Sequence, residues 1–142
     1  MLLTVLVVAG CAARALPYPP TLSVPLPKNE FGTFQLDVYD DSGLVLSGRS
    51  GDQVLGGFVA VDVIAMPERS ELLIRWTGGA CGHRPFVEIR GTSGDLRLVV
   101  APSPAEYSLA PVSCPAIGIV SSATLSLAEP VSQENITFTG QM

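Results

Sequence analysis

Turn-forming residues recur along this chain at intervals that are too short for long helices. Of its 142 residues, 14 are Gly and 12 are Pro, and they break the apolar stretches into short pieces. Clusters such as Asp40–Gly43 and Gly91–Asp95 combine Gly with side chains that hydrogen-bond to their own backbone. A hydrophobic chain that is divided in this way is expected to form many short β-strands.

Between the turns, apolar and polar residues alternate with the period of a half-buried strand. Leu72, Ile74 and Trp76 share one face of the stretch 72–77, for example. The other segments with strand character are 34–39, 44–46, 54–65, 86–90, 96–100, 123–127 and 136–138. We therefore predict an all-β fold, an antiparallel β-sandwich of about 7–9 short strands. Residues 44–46 are expected to pair with 34–39 through the turn at Asp40–Gly43.

The first eleven residues have the character of an export signal. An apolar run of about ten residues is too short to span a bilayer as a helix, and it ends in Val8-Ala9-Gly10-Cys11. This ending resembles the lipobox of bacterial lipoproteins, which implies that residues 1–10 are a signal peptide and that Cys11 carries lipid. The absence of Lys or Arg before the run departs from that pattern. The alternatives are cleavage after Ala15, which would give a secreted protein, and a buried N-terminal strand.

A proline-rich segment follows the apolar run. Residues 12–28 contain five prolines, which remove backbone donors and favour an extended chain. We expect residues 11–28 to be a tether that forms at most an edge strand near residues 21–26, and residues 29–142 to be the folded domain.

The three cysteines, Cys11, Cys81 and Cys114, are consistent with an exported protein. If Cys11 is lipidated, Cys81 and Cys114 remain as a pair that an oxidising compartment would close into a disulfide. Closing a loop of 33 residues stabilises a fold by about 3.7 kcal/mol in the loop-entropy model. Two buried free thiols are the alternative. Antibody topology is not expected, because Trp76 precedes both cysteines instead of lying between them.

Two motifs in the second half of the chain carry a resemblance. Arg75-Trp76-Thr-Gly-Gly-Ala-Cys81 and the later Cys114-Pro-Ala-Ile-Gly118 resemble a poorly characterised group of secreted or lipid-anchored bacterial proteins. These proteins share Trp-x-Gly-Gly-x-Cys and Cys-Pro-Ala-x-Gly, with an Asp after the first Cys where this chain has Gly82. The resemblance implies a β-rich extracytoplasmic domain with a disulfide between the two motifs, and no particular activity.

The residue types that usually carry catalysis are sparse. His83 is the single His, so a nucleophilic mechanism would have to use it, and no Gly-x-Ser-x-Gly motif is present. Asp37, Asp40, Asp41 and Ser42 supply oxygen ligands for calcium, but their spacing does not match a calcium loop, and turn chemistry explains them better. We predict no enzymatic activity, no metal and no cofactor.

Charge and loop composition limit the expected partners. With 13 acidic and 8 basic residues the net charge is −5, which disfavours binding to nucleic acid. The function expected is a non-catalytic binding or accessory module at the bacterial cell envelope, anchored to the membrane through Cys11 and contacting an envelope protein. The candidate recognition segment is Gly82, His83 and Arg84. The alternatives are a protease inhibitor or small hydrolase that uses Cys81–Arg84, and a structural subunit of an envelope complex.

Overall fold

The computed structural model describes residues 19–29, 32–55, 61–79, 85–102 and 118–140. Within these ranges the chain forms ten strands and two short 3₁₀ turns, at Pro67–Arg69 and Gln133–Asn135. The strands are β1 (Leu22–Asn29), β2 (Gly32–Asp40), β3 (Val45–Ser50), β4 (Val54–Leu55), β5 (Asp62–Met66), β6 (Glu71–Gly79), β7 (Pro85–Thr92), β8 (Asp95–Pro102), β9 (Gly118–Leu127) and β10 (Ile136–Gly140).

The strands form two sheets, which we call the front sheet and the back sheet. The front sheet has the order β1-β2-β7-β8-β10, and the back sheet has the order β3-β9-β6-β5 with β4 also paired to β9. Buried residues of both sheets belong to one hydrophobic cluster, among them Leu36 and Ile89 from the front sheet and Leu72 and Leu125 from the back sheet. The prediction of an all-β sandwich is confirmed, with ten strands in place of seven to nine.

The front sheet is mixed and not purely antiparallel. β2 runs parallel to β7, with Asp37 opposite Phe86, and β10 runs parallel to β8, with Ile136 opposite Leu96. Parallel neighbours need a long connection between them. Here β2 and β7 are separated by β3–β6 of the back sheet, and β8 and β10 are separated by β9. Alternation within a strand does not indicate whether its neighbour in the sheet runs parallel or antiparallel. The prediction of an antiparallel sandwich therefore missed the two parallel pairs.

The predicted core faces are the buried ones. Leu72, Ile74 and Trp76 on β6 are essentially inaccessible, and Trp76 has 2% of its surface exposed. Leu125 and Leu127, in the predicted strand segment 123–127, are buried on β9. Each of these faces follows the two-residue period of a strand, because successive side chains point to opposite sides of the sheet.

The domain begins earlier than the predicted boundary at residue 29. β1 pairs antiparallel with β2 from Leu22 onward, and Val24 and Leu26 are buried in the core. Residues 22–28 of the predicted tether therefore belong to the sandwich. β1 does lie at the edge of the front sheet, as its prolines require, and its register shifts between Pro25 and Lys28.

Two further predictions about strand pairing are wrong. β3 does not form a hairpin with β2, because it pairs with β9 in the opposite sheet. The segment 54–65 is not one strand either: β4 pairs with β9, whereas β5 pairs with β6. Residues 56–60, between β4 and β5, lie outside the described residues.

Candidate functional site

The residues predicted to form the site lie outside the ranges that the structure describes. This holds for the candidate recognition segment Gly82, His83 and Arg84, for the predicted disulfide partners Cys81 and Cys114, and for the predicted lipidation site Cys11. Their roles stay predictions. The strands on either side of them are described, and these strands fix where the segments attach to the sandwich.

Four strand termini next to these residues lie at the same end of the molecule. β6 ends at Gly79, which is paired with Gly118 at the start of β9. β7 begins at Pro85, which is paired with Pro102 at the end of β8. β2 runs parallel to β7 and ends only five residues before β3, which begins opposite the end of β9. The ends of β7 and β9 therefore lie at one end of the sandwich, and their starts lie at the other. We call this other end the cysteine end, because in the sequence Cys81 lies between Gly79 and Pro85 and Cys114 lies between Pro102 and Gly118.

The register also brings the attachment points of the two cysteines together. Cys81 follows Gly79 by two positions, and Cys114 precedes Gly118 by four, while Gly79 and Gly118 face each other across neighbouring strands. A few residues of extended chain span more than ten ångströms, so the Cα separation of about 4.4–6.8 Å that a disulfide needs is within reach.

Trp76 lies in the core below this end. It pairs with Ser121 of β9, and the two residues are three positions before Gly79 and three after Gly118, respectively. Trp76 is buried together with Leu72 and Ile74, with which it was predicted to share a face.

The acidic cluster near residue 40 is a corner between the two sheets. The Asp40 carboxylate accepts hydrogen bonds from the Ser42 N–H at 2.9 Å, from the Ser42 hydroxyl, and from the Val45 N–H at 2.8 Å. Gly43 takes a positive φ of 69°, which glycine tolerates without strain. This geometry supports turn chemistry for the cluster and not the calcium alternative, because the Asp40 oxygens face backbone donors.

The other two carboxylates of the cluster have separate roles. The Asp41 carboxylate accepts a hydrogen bond from Arg90 Nη1 at 2.8 Å, and the Asp41 backbone N–H donates to the Ile89 carbonyl at 2.9 Å. Asp37 is 6% exposed and accepts from the Ser23 hydroxyl at 3.0 Å on β1. Each carboxylate therefore holds a different pair of strands together.

Sequence reasoning missed a polar cluster on the outer face of the front sheet. Arg90 on β7 donates to Glu88 and Asp41, and its guanidinium carbon lies 5.4 Å from the centre of the Tyr39 ring. The hydrogen bond that Arg90 donates to Glu88 raises the pKa of Arg90. Desolvation opposes this rise, and the charges of Glu88, Asp41 and Tyr39 add to it. The alternation of residues 86–90 placed Glu88 and Arg90 on one face. Tyr39 joins them because β2 runs parallel to β7, and no residue pattern within either strand indicates that pairing.

Carboxylates that would suit glycoside hydrolysis are not brought together as a pair. Asp62 in the back sheet is bonded to Arg75, whereas Glu88 in the front sheet is bonded to Arg90. Asp95 contacts Arg97 at 3.2 Å at the start of β8. Asp62 is thus engaged in a cross-strand pair, whereas Glu88 and Asp95 each pair with the Arg two positions further along their own strand.

The chain has no match in three comparisons with known proteins. No family model matches it, and neither the curated proteins nor the solved structures include a match. Among the residues that the structure describes, no group of three or more His, Cys, Asp or Glu side chains is arranged to hold a metal ion. No helix within the described ranges is long and apolar enough to cross a bilayer.

Proposed function

We propose that this protein is a non-catalytic binding or accessory module outside the cytoplasm, anchored to the bacterial cell envelope through lipid on Cys11. The observation that carries the proposal is the convergence of Gly79, Pro85, Pro102 and Gly118 at one end of a rigid sandwich. Segments that leave a rigid frame at one end can act together as a recognition surface, as the end loops of antibody domains do.

The recognition segment proposed is Gly82, His83 and Arg84. It belongs to a connection of five residues between β6 and β7, and its ends are held by strand pairs on both sides. A short connection between fixed points loses little conformational entropy on binding, which favours affinity. A disulfide between Cys81 and Cys114 would fix the segment further.

The partner proposed is an envelope protein with a negatively charged or hydrogen-bond-accepting surface. Arg84 offers a planar fork of donors that suits carboxylates, and His83 can donate from its ring. The net charge of −5 disfavours the phosphates of nucleic acids. The lipid anchor would keep the module at the membrane surface, where such a partner is available at high local concentration.

A site-specific crosslinking experiment tests this function. A photo-crosslinking amino acid is placed at His83 in the full-length chain, in the native host, and compared with the same group at Arg97. Arg97 is a matched control because its side chain is 70% exposed and it lies at the other end of the sandwich. We expect a partner to be captured from position 83 and not from position 97. This capture should be lost when Arg84 is also changed to Ala. Equal capture from both positions, or none from position 83, would overturn the proposal.

A further inference from the structure

The chain joins the sandwich beside the corner between β2 and β3, which we call the Asp40 corner. The Thr21 N–H donates to the Val38 carbonyl at 2.8 Å, and the Thr21 hydroxyl donates to the same carbonyl at 3.0 Å. The Asp40 N–H in turn donates to the Thr21 hydroxyl at 3.2 Å. These bonds hold Thr21 against β2, so they fix the point at which the preceding segment joins the sandwich.

The Asp40 corner lies at the end of the sandwich opposite the cysteine end. Val45, whose N–H donates to the Asp40 carboxylate at 2.8 Å, pairs with Leu127 at the end of β9. Gly118, at the start of the same strand, belongs to the cysteine end. β9 has 10 residues. At a rise of about 3.3 Å per residue, the corner and the start of β9 are therefore about 30 Å apart along the sandwich.

β1 runs from this corner towards the cysteine end. Leu22 is paired with Val38, and Asn29 is paired with Gly32, where β2 starts. Because β2 runs parallel to β7, whose start belongs to the cysteine end, Asn29 lies on the side of the cysteine end. The first strand therefore leads away from the point at which the preceding segment joins the sandwich.

The segment between Cys11 and Thr21 limits how far the corner can be from a lipid on Cys11. It spans ten positions and contains Pro17, Pro19 and Pro20, which favour the extended polyproline conformation. A chain in that conformation rises about 3.1 Å per residue, which gives a reach of about 31 Å. The start of β9 could reach the membrane only if this segment were stretched back along the sandwich, which would leave it little conformational freedom.

Charge does not draw the sandwich down onto the membrane. The net charge is −5, and the corner itself carries Asp40 and Asp41. Anionic lipid headgroups repel such a surface within about one Debye length of contact. The sandwich is therefore expected to stand off the membrane on its tether instead of lying flat.

We propose that the sandwich stands on the membrane with its Asp40 corner inward and its cysteine end outward. The recognition surface then meets its partner about 30–60 Å from the headgroups, the lower value being the sandwich length and the upper value adding the reach of the tether. The partner is thus a protein whose extracytoplasmic part extends that far, and not the lipid surface. Since the anchor on Cys11 is itself proposed above, this orientation rests on that proposed function.

Energy transfer from the sandwich to labelled lipid headgroups tests the orientation. The lipidated full-length chain is purified from its host and inserted into vesicles of phosphatidylcholine and phosphatidylglycerol that carry an acceptor on the headgroups. A donor is attached through a non-natural amino acid at one exposed position in each variant, so that the native cysteines stay unchanged. Lys28 in the front sheet and Leu55 in the back sheet report on the cysteine end. Thr92 in the front sheet and Glu68 beside the back sheet report on the opposite end.

Within each sheet, the position at the opposite end should lie closer to the headgroups than the position at the cysteine end. Glu68 should be closer than Leu55 by about 20 Å, which follows from the register of β4 and β6 with β9 and the rise per residue. Thr92 should be closer than Lys28 by at least as much, about 20 Å or more.

A longer tether is the matched control. About twenty Gly and Ser residues inserted between Leu16 and Pro17 leave every residue of the sandwich unchanged and release it from the short anchor. The differences within both sheets should then fall to less than about half of their original values. Melting curves establish that each labelled variant is folded.

Equal or reversed distances at the two ends, measured on a chain whose Cys11 carries lipid, would overturn the orientation. Differences that persist with the longer tether would also overturn it, because direct contact with lipid would then set the direction. Crosslinking from His83 is scored separately, and a loss of capture together with the expected distances would remove the recognition role alone. A mature chain without lipid on Cys11 would overturn both the anchor and the orientation.

Discussion

We expect the two ends of the sandwich to be held together by different chemistry. At the end opposite the cysteine end, which we call the turn end, short connections are fixed by side chains that bond to nearby backbone. Asp40 binds the corner between β2 and β3, and the Ala128 N–H donates to the Leu44 carbonyl at 2.8 Å. At the cysteine end the longer segment 103–117 and the crossing 80–84 contain the two cysteines that we propose to be bonded.

The turn end also joins the two sheets through one segment. The Ser93 hydroxyl at the β7–β8 hairpin donates to Glu129 at 2.7 Å, and Asn135 Nδ2 donates to the Ser93 carbonyl at 3.3 Å. Val131 of the same segment is buried in the core. The comparison teaches that one end of the fold is specified by local hydrogen bonding, whereas recognition at the other end is our proposal.

The largest effect is expected at the hairpin of the turn end. Gly91 has a φ of 104°, and a Cβ atom there would lie 2.1 Å from the Asp95 carbonyl oxygen. Gly91→Ala therefore combines backbone strain with a clash that cannot relax without opening the hairpin. We expect a loss of at least about 4 kcal/mol in the free energy of unfolding, measured with urea.

Gly94→Ala is the matched control for this change. It lies in the same hairpin, and its nearest neighbour to a new Cβ would be the Thr92 hydroxyl at 3.9 Å. Its unfolding free energy should stay within about 0.5 kcal/mol of the parent value. Equal losses for the two variants would show that the conformation of Gly91 does not specify the hairpin.

The second effect concerns the cysteine end. The double variant Cys81→Ser, Cys114→Ser should lose about 3.7 kcal/mol, since the unfolded chain regains the entropy of an open loop of 33 residues. Reductant should lower the melting temperature of the parent chain and leave that of the double variant unchanged. A parent chain that melts at the same temperature with and without reductant would contradict a stabilising disulfide.

The third effect tests the corner at Asp40. Asp40→Ala removes the acceptor for two backbone N–H groups and one hydroxyl, so we expect a loss of about 2–3 kcal/mol. Asp52→Ala, an exposed carboxylate on the β3–β4 edge, is the control and should be nearly neutral. Added calcium or chelator should leave the parent melting temperature unchanged. A rise in melting temperature with calcium that Asp40→Ala abolishes would restore the metal alternative.

The smallest effect concerns the cap on the β5 edge. Gln133→Ala leaves the Ala65 N–H and the Val63 carbonyl to water, which should cost about 1 kcal/mol. Glu134→Ala, at the next exposed position, is the control. Chemical denaturation of both variants makes the comparison, and an equal loss for the two would mean that the amide does not cap the edge.

Much of the fold could be predicted because it depends on local patterns. The alternation of Leu72, Ile74 and Trp76 gave the buried face of β6, and the Gly91–Asp95 cluster gave the β7–β8 hairpin. These features need only the two-residue period of a strand and the hydrogen-bonding of turn residues.

Pairing between distant strands could not be predicted in the same way. Asp40–Gly43 has the composition of a hairpin turn, yet the strands that it joins lie in different sheets. The cluster around Arg90 exists because β2 runs parallel to β7, about fifty residues further along the chain. Nothing within residues 34–40 or 85–92 alone specifies that partner. The sequence shows each polar residue of this cluster, but it does not indicate that they lie together in the fold.

The measurement that tests our account most directly is disulfide mapping of the mature protein, isolated from membranes without reductant. We predict a peptide in which Cys81 is bonded to Cys114, together with an N-terminal peptide whose Cys11 carries lipid. This result would mean that the cysteine end is closed covalently and that the sandwich is held at the envelope. Free thiols at both Cys81 and Cys114, or a mature chain that retains residues 1–10, would contradict it.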